Sequence, residues 1–164
     1  MNVHPEFYNP YLEKVPDQDV IKALKSNMQA CGEIYSNVDE EKSTYRYAEG
    51  KWSLRELLGH IIDAERVFSY RAMCFARADK TPLPGFDEND YASRSNAHLR
   101  SMKSLKEEFM TLRLSTIQLF SSFSDAQLSE VGTMSGNQAS VHAIGRIIAG
   151  HCAHHLEVIQ ERYL

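Results

Sequence analysis

The stretch WSLRELLGHIIDAERVF, residues 52–68, carries the most complete helix start in the chain and decides its fold class. The Ser53 side chain can accept a bond from the backbone amide of Glu56, whose carboxylate can reach back to the amide of Ser53. Trp52 and Leu57 occupy the two hydrophobic-staple positions around this start. Apolar residues then recur at spacings of three and four as far as a Pro-Leu-Pro segment that forbids helix. The pattern predicts a long amphipathic helix that begins after Ser53.

Three further apolar stripes with the same helical period lie elsewhere in the chain. They run from Val20 to Val38, from Leu99 to Phe123 and from Ile144 to Ile159. Asp17 is the predicted cap of the first stripe, and Ser93 or Ser95 that of the third. A short helix is expected within residues 124–136, and no strand pattern of comparable strength appears. Four long helices with connections of unequal length predict an all-α four-helix bundle that allows crossover connections.

Length and composition indicate one soluble globular domain that spans residues 1–164. The formal net charge is −4 and no run of Lys and Arg suits phosphate neutralisation, so nucleic acid is not an expected partner. No apolar run is long enough for a membrane helix, and the N-terminus lacks the regions of a signal peptide. The three cysteines form no Cys-x-x-Cys pair, which favours a reducing compartment. A cytoplasmic location is therefore expected.

His151 and His155 lie in the middle of the fourth apolar stripe. At about 100° per residue they stand about 40° apart on a helix, among isoleucines that face the interior of the bundle. His60 lies in the same way on the apolar face of the helix that begins after Ser53. Buried imidazoles are costly without partners, whereas a divalent cation satisfies one nitrogen of each. The spacing therefore predicts one metal ion bound by His60, His151 and His155.

The competing interpretation of each histidine is a hydrogen-bonded core residue, which is the commoner role of a single inward imidazole. The combination of an i, i+4 pair with a third inward histidine on a second helix favours a metal, because such sites form in bundle cores. His154 falls at the margin of the stripe and is the weaker candidate. His4, His98 and His142 are interpreted as solvated bystanders.

The segments at residues 52–66 and 150–155 resemble the DinB/YfiT-like family of four-helix-bundle metalloenzymes, and the likeness covers nearly the whole chain. The resemblance implies an up-down-down-up bundle, a homodimer, and a divalent metal at the positions of His60, His151 and His155. Zinc or nickel is the expected metal, with iron or manganese as alternatives. Characterised members include thiol-dependent S-transferases and isomerases, while others carry a hydrolase assignment.

Three neutral histidines leave at least one coordination position open, which is typical of a catalytic metal site. The first hypothesis is an S-transferase that activates a low-molecular-weight thiol for attack on a small electrophile. The second is a metal-dependent hydrolase with Glu56 or Asp63 as the catalytic base, although either acid could instead orient a ligand imidazole. The third is a non-catalytic bundle in which the metal stabilises helix packing.

Three other features have simpler interpretations. Arg71 lies three turns beyond His60 on the same face of the helix. An inward arginine needs a carboxylate, which could come from a ligand or from the protein itself. An internal salt bridge is the preferred interpretation. Residues 82–91 form a connection that is interpreted as solvated, with the edge of the pocket as the alternative. Trp52 is interpreted as part of the helix start rather than as a substrate platform.

Overall fold

Four long helices dominate the computed structural model, which describes residues 3–16 and 19–164. In chain order the helices are α1 Asn9–Leu12, α2 Val20–Ser36, α3 Leu54–Ala76, α4 Glu88–Arg94, α5 Met102–Ser121, α6 Asp125–Ser129 and α7 Val141–Arg162. Two short strands, β1 Val131–Met134 and β2 Asn137–Ser140, form an antiparallel hairpin. Single turns of 3₁₀-helix lie at Glu6–Tyr8, Lys42–Thr44 and Ala97–Leu99. The predicted helical bundle is confirmed, and the hairpin is an addition to it.

Each long helix begins at a polar residue whose side chain accepts a bond from a backbone amide of the first turn. These residues are Asp19 for α2, Ser53 for α3, Ser101 for α5 and Ser140 for α7. The capping box predicted at Ser53 and Glu56 is present in full. A second capping box at Ser124 begins α6, the short helix expected within residues 124–136. Asp17, the predicted cap of the first helix, lies outside the described residues.

The third long helix begins later than its apolar stripe indicated, and the prediction of Ser93 or Ser95 as its cap is wrong. Asn96 adopts a left-handed conformation with φ 55°, which interrupts the chain after α4. Leu99, the first residue of the predicted stripe, is 74% exposed in the turn that follows. Because Leu99 happened to fall in phase with the helix beyond it, hydrophobic spacing alone could not reveal this break.

The hairpin of β1 and β2 corrects the expectation of a chain without notable strands. Ser135 and Gly136 form its two-residue turn with φ values of 50° and 77°, the left-handed geometry that fits the twist of a hairpin. Each strand has only four residues, too few for an alternating pattern to stand out. The amide of Leu83 donates to the carbonyl of Thr133, and its carbonyl accepts from the amide of Ser135. The hairpin therefore anchors the Pro-rich connection that follows α3.

The long helices are arranged so that neighbours in the chain are not always neighbours in space. α2 packs against α5 and α7, and α3 packs against the same two helices. α2 and α3 therefore stand at opposite corners of the bundle, as do α5 and α7. The connections from α2 to α3 and from α5 to α7 run diagonally, which is the crossover topology that the unequal connections allowed. This arrangement makes α3 and α7 direct neighbours.

The apolar interior consists of two clusters of buried side chains that meet within α3 and α7. One cluster takes the C-terminal half of α3 and the N-terminal half of α7, and the other takes the opposite halves. Along α7 the change falls between Ala149 and Cys152, where His151 lies. Within the described part of the chain, no helix is both long and apolar enough to cross a membrane.

Candidate metal centre

The imidazoles of His60, His151 and His155 converge at one point between α3 and α7. The Nε2 atom of His151 lies 2.9 Å from Nε2 of His60 and 3.1 Å from Nε2 of His155. One nitrogen from each of the three rings lies within 4.8 Å of the others. His60 and His151 are buried, with 2% and 4% of their surfaces exposed, and His155 is partly buried. The convergence expected from helical spacing is therefore present in the fold.

Aromatic residues hold two of the three rings in place. The ring of Trp52 lies 4.7 Å from that of His60, centroid to centroid. Tyr11, from the N-terminal arm, meets the ring of His151 edge to face at 5.4 Å. Its approach depends on Gly150, because a Cβ atom at that position would lie 2.1 Å from the carbonyl oxygen of Tyr11. A glycine directly before His151 thus lets the N-terminal arm cover the site.

Burial keeps all three imidazoles neutral near pH 7, because the interior disfavours the charged form. It lowers the pKa of His60 to about 4 and, together with the neighbouring imidazoles, the pKa of His155 to about 3. The pKa of His151 is held well below its ordinary value, first by burial and then by His155, His60 and the guanidinium of Arg113. A neutral imidazole has one free lone pair, which is the form that binds metals.

Hydrogen bonds among the three rings do not satisfy these nitrogens. The Nε2 atom of His151 has two neighbours at hydrogen-bonding distance, but a neutral ring nitrogen offers either one hydrogen or one lone pair. The Nδ1 atom of His155 is also buried without a partner among the described residues. An ion bound tetrahedrally at about 2.0–2.1 Å holds imidazole nitrogens roughly 3.3 Å apart, close to the two short separations found here. The residues present therefore suit a divalent ion.

The two acids predicted as catalytic residues, Glu56 and Asp63, are engaged elsewhere. Glu56 accepts from Ser53 and pairs with Arg46; although partial burial raises its pKa, these partners bring it below the ordinary value. Asp63 is partly exposed and lies 3.7 Å from Arg66, and burial raises its pKa. Within residues 3–16 and 19–164, neither carboxylate forms a hydrogen bond or ion pair with the three imidazoles.

A cavity of about 280 Å³ opens onto His155. Its walls include Tyr47, Lys51, Trp52, Asn89, His154 and Tyr163. The interpretation of Trp52 as a helix-start residue alone is therefore incomplete, because its ring contacts both His60 and this cavity. The hydroxyl of Tyr163 donates to the carbonyl of Trp52 at 2.6 Å and fixes that wall.

Several of these lining residues escaped the sequence analysis. Tyr47 lies in the connection before α3, where no periodic signal marks it. Tyr163 follows Ile159 by four residues at the end of α7, so extending the apolar stripe by one turn would have included it. Asn89 lies at the start of α4, within the segment 82–91 interpreted as a solvated connection with the pocket edge as the alternative; it is exposed and also lines the cavity. His154 packs against Tyr11 and His155 by its ring and is not among the converging nitrogens, which agrees with its lower rank. His98 is exposed, as expected, whereas His4 and His142 are partly buried.

The fold and the three imidazoles define a crossover helical bundle with a candidate metal centre in its core. The chain matches the model of the DinB superfamily over residues 23–159, and it belongs to that superfamily. A relative from Oceanobacillus iheyensis, provisionally named a metal-dependent hydrolase, is 26% identical over 160 residues, which cover 90% of this chain and 87% of the relative.

A solved structure shows the same fold at a much lower sequence identity. YfiT from Bacillus subtilis matches with a TM-score of 0.79 and 15% identity, covering 90% of this chain and 86% of YfiT. YfiT is described, again provisionally, as a metal-dependent hydrolase with an unusual four-helix-bundle topology. At this identity the likeness establishes the architecture and leaves the reaction of the present protein to its own residues.

Proposed function

We propose that His60, His151 and His155 hold one divalent metal ion and that the protein uses it to hydrolyse a small-molecule substrate. The observation that carries this proposal is the convergence of three neutral imidazoles from two helices, two of them buried and one partly buried. The provisional hydrolase names of the Oceanobacillus relative and of YfiT support the choice of reaction. The aromatic cavity beside His155 offers room for a small substrate.

The chain contributes the positioning of the reacting groups and the walls of a binding cavity. A divalent ion with an open coordination position supplies Lewis acidity and lowers the pKa of a bound water or thiol toward neutrality. Trp52 and Tyr11 pack on the outer faces of His60 and His151 and limit the rotation of both rings. Tyr47, Trp52 and Tyr163 provide aromatic walls against which an apolar part of the substrate can pack.

Thiol-dependent S-transfer is the second candidate, and the positions of the acids favour it. Glu56 and Asp63 pair with Arg46 and Arg66, respectively. Within the part of the chain that the structure describes, neither carboxylate contacts the three imidazoles, so neither is placed to take a proton from a water molecule at the site. A thiol has an ordinary pKa near 8.5 and therefore needs less assistance than water to become a nucleophile. A low-molecular-weight thiol that attacks a small electrophile is compatible with this arrangement.

Metal content tests the first half of the proposal. We expect untagged protein to contain about one divalent ion per chain by elemental analysis, with zinc or nickel ahead of iron or manganese. His151→Ala should lose most of this metal because two ligands from two helices hold an ion much less tightly than three. His98→Ala is the matched control, since His98 is exposed and distant from the site in sequence. Equal metal content in the wild type and His151→Ala would remove the three-histidine site.

Two assays on the metal-loaded protein then separate the reactions. Hydrolysis of a nitrophenyl ester and conjugation of a small thiol with an activated aryl halide are each measured with and without a chelator. Chelator-sensitive ester hydrolysis supports the hydrolase, and chelator-sensitive conjugation alone supports the transferase. If neither rate responds to the chelator while metal still raises the Tm, the site is a non-catalytic one and the enzymatic proposal fails.

A further inference from the structure

The bundle buries three arginines that differ in how their charges are balanced. Arg146 is 7% exposed and donates to the backbone carbonyls of Leu12 and Val15. Arg113 is fully buried and forms a bidentate pair with Glu65, with Nε–Oε1 at 2.9 Å and Nη2–Oε2 at 2.8 Å. Arg71 is 2% exposed, yet within residues 3–16 and 19–164 it forms no ion pair. The internal salt bridge predicted for Arg71 is therefore wrong. A buried cation without a counterion is costly to desolvate, and at Arg71 this cost falls at the wall of a cavity.

The groups that contact Arg71 are all neutral. Its Nη2 atom donates to the carbonyl of Pro84 at 2.6 Å and to Oγ of Ser135 at 3.2 Å. Its Nη1 atom has only the thioether of Met134 at 3.9 Å, which is a weak acceptor. The Tyr8 hydroxyl, which completes the set, is kept protonated because burial raises its pKa. The rings of Phe68 and Phe86, with centroids 5.3 Å and 5.9 Å from the guanidinium carbon, add a cation–π contribution. None of these contacting groups carries a negative charge.

Arg71 also borders a cavity of about 300 Å³ that is separate from the one beside His155. The cavity is also lined by the rings of Phe86, Tyr70 and Tyr91 and by the aliphatic side chain of Val67. A second cation, Arg66, lines the same cavity, but Glu108 and Asp63 already neutralise it. Among the described residues that line this cavity, Arg71 is therefore the one cation that has no paired carboxylate.

We propose that the cavity beside Arg71 is a binding site for a small monocarboxylate with an apolar, preferably aromatic, body. One negative charge matches the one unpaired guanidinium, and a carboxylate suits its planar array of N–H donors. The ring of Phe86, whose centroid is 5.9 Å from the guanidinium carbon, and the two tyrosines provide the surface for the apolar part. The site lies three turns of α3, about 16 Å along the helix, from His60.

A purely structural role for Arg71 is the competing explanation. Its bonds to Pro84 and Ser135 tie the Pro-rich connection to the hairpin, and an amide or hydroxyl donor could do the same. Such a role accounts for the hydrogen bonds but does not require a charge. The two explanations differ in one measurable respect, which is whether a negative charge on a ligand increases its affinity for this cavity.

Benzoate and its uncharged counterpart benzamide test this difference on the full chain as purified. We expect saturable benzoate binding with a Kd on the order of 1 mM, accompanied by NMR shifts of the Phe86 and Tyr91 amides. Benzamide should bind at least about tenfold more weakly. Arg71→Met should lose benzoate binding, Arg71→Lys should weaken it severalfold, and Arg66→Gln should change it less than about threefold.

A further control separates this site from the histidines, because a carboxylate can also bind a metal. His151→Ala should bind benzoate as the wild type does, so failure of the proposed metal site leaves this test intact. If Arg71→Met does not fold, Arg71→Lys and the comparison of the two ligands on the wild type still decide the question. Equal affinity for benzoate and benzamide, unchanged binding by Arg71→Met, loss of binding by His151→Ala, or no saturable binding by the wild type would each overturn the proposal.

Discussion

The Arg113–Glu65 pair and the three imidazoles both lie within the apolar interior, but they differ in whether the protein alone satisfies their polar atoms. Arg113 donates to both carboxylate oxygens of Glu65 and also to the backbone carbonyl of Leu24 at 3.1 Å, so it joins α2, α3 and α5. The three imidazoles of the candidate metal centre join α3 and α7 but compete for the bonding capacity of one nitrogen. The first group is satisfied by the protein alone, whereas the second becomes satisfied when a cation is added.

This difference indicates how a buried polar group can be assigned to folding or to function. Both groups carry the desolvation cost of polar atoms in a core. In the Arg113–Glu65 pair the cost is offset within the chain, so the pair needs no ligand. In the histidine group part of the cost remains within the chain, so the proposed metal would add to the stability of the bundle on binding. Changes to the two groups should therefore have different consequences.

The largest effect on stability should come from breaking the Arg113–Glu65 pair. Glu65→Gln removes the charge that Arg113 requires while keeping a similar shape, and we expect the free energy of unfolding to fall by about 3–5 kcal/mol. Urea denaturation of metal-free protein measures this loss. Glu107→Gln is the matched control, since Glu107 belongs to an exposed i, i+4 pair with Lys103 and should cost less than about 0.5 kcal/mol. Similar losses for the two variants would show that the buried pair is not a structural anchor.

The positions of the three histidines could be predicted because each lies on the apolar face of a long, regular helix. Helical periodicity gives the direction of a side chain, and two adjacent helices then bring the rings together. The partners of Arg71 could not be predicted in this way, since Pro84 and Ser135 belong to a connection and a turn. Their distance from Arg71 in the fold depends on tertiary packing, which spacing along one helix does not encode.

The same limit explains two other residues around the site. Tyr11 reaches His151 only because the N-terminal arm lies over a glycine of α7, and no local pattern links the two segments. Asn89 reaches the cavity because the short helix α4 packs against α3, a contact that the apolar stripes of the long helices do not encode. The long helices and their inward faces were thus accessible from the sequence, whereas the contacts made by the short helices were not.

Acid should weaken the stabilising contribution of the three imidazoles more than that of the Arg113–Glu65 pair. The unfolded chain binds protons on histidine near pH 6.5, whereas in the folded protein the pKa of His60 is about 4 and that of His155 about 3. Between these values the unfolded state binds more protons, so the free energy of unfolding falls as the pH decreases. For metal-free protein we expect a loss of about 2 kcal/mol for each of these histidines between pH 7 and pH 5. Urea denaturation across this pH range measures it.

A histidine variant separates the histidine contribution to the pH dependence of stability from the contribution of the carboxylates. His60→Gln should show a smaller loss of stability on acidification than the wild type, by about the amount expected for one histidine. The exposed His98 gives the control, and His98→Gln should follow the wild type. Saturating metal should also reduce the pH dependence near neutrality, because the bound ion competes with protons for the same nitrogens. A stability that does not change from pH 7 to pH 5 would contradict the neutral, buried state of the three rings.

The smallest effect is expected from Asp63, which lies only two positions before Glu65 on the same helix. Asp63→Asn removes a carboxylate that faces Arg66 at the surface, so metal content should stay unchanged and stability should shift by less than about 0.5 kcal/mol. Elemental analysis and urea denaturation measured beside Glu65→Gln give the direct comparison. A loss of metal in Asp63→Asn would mean that its carboxylate orients a ligand imidazole in the loaded protein. A loss of hydrolysis with full metal content would instead restore Asp63 as the catalytic base and remove the argument that favours thiol transfer.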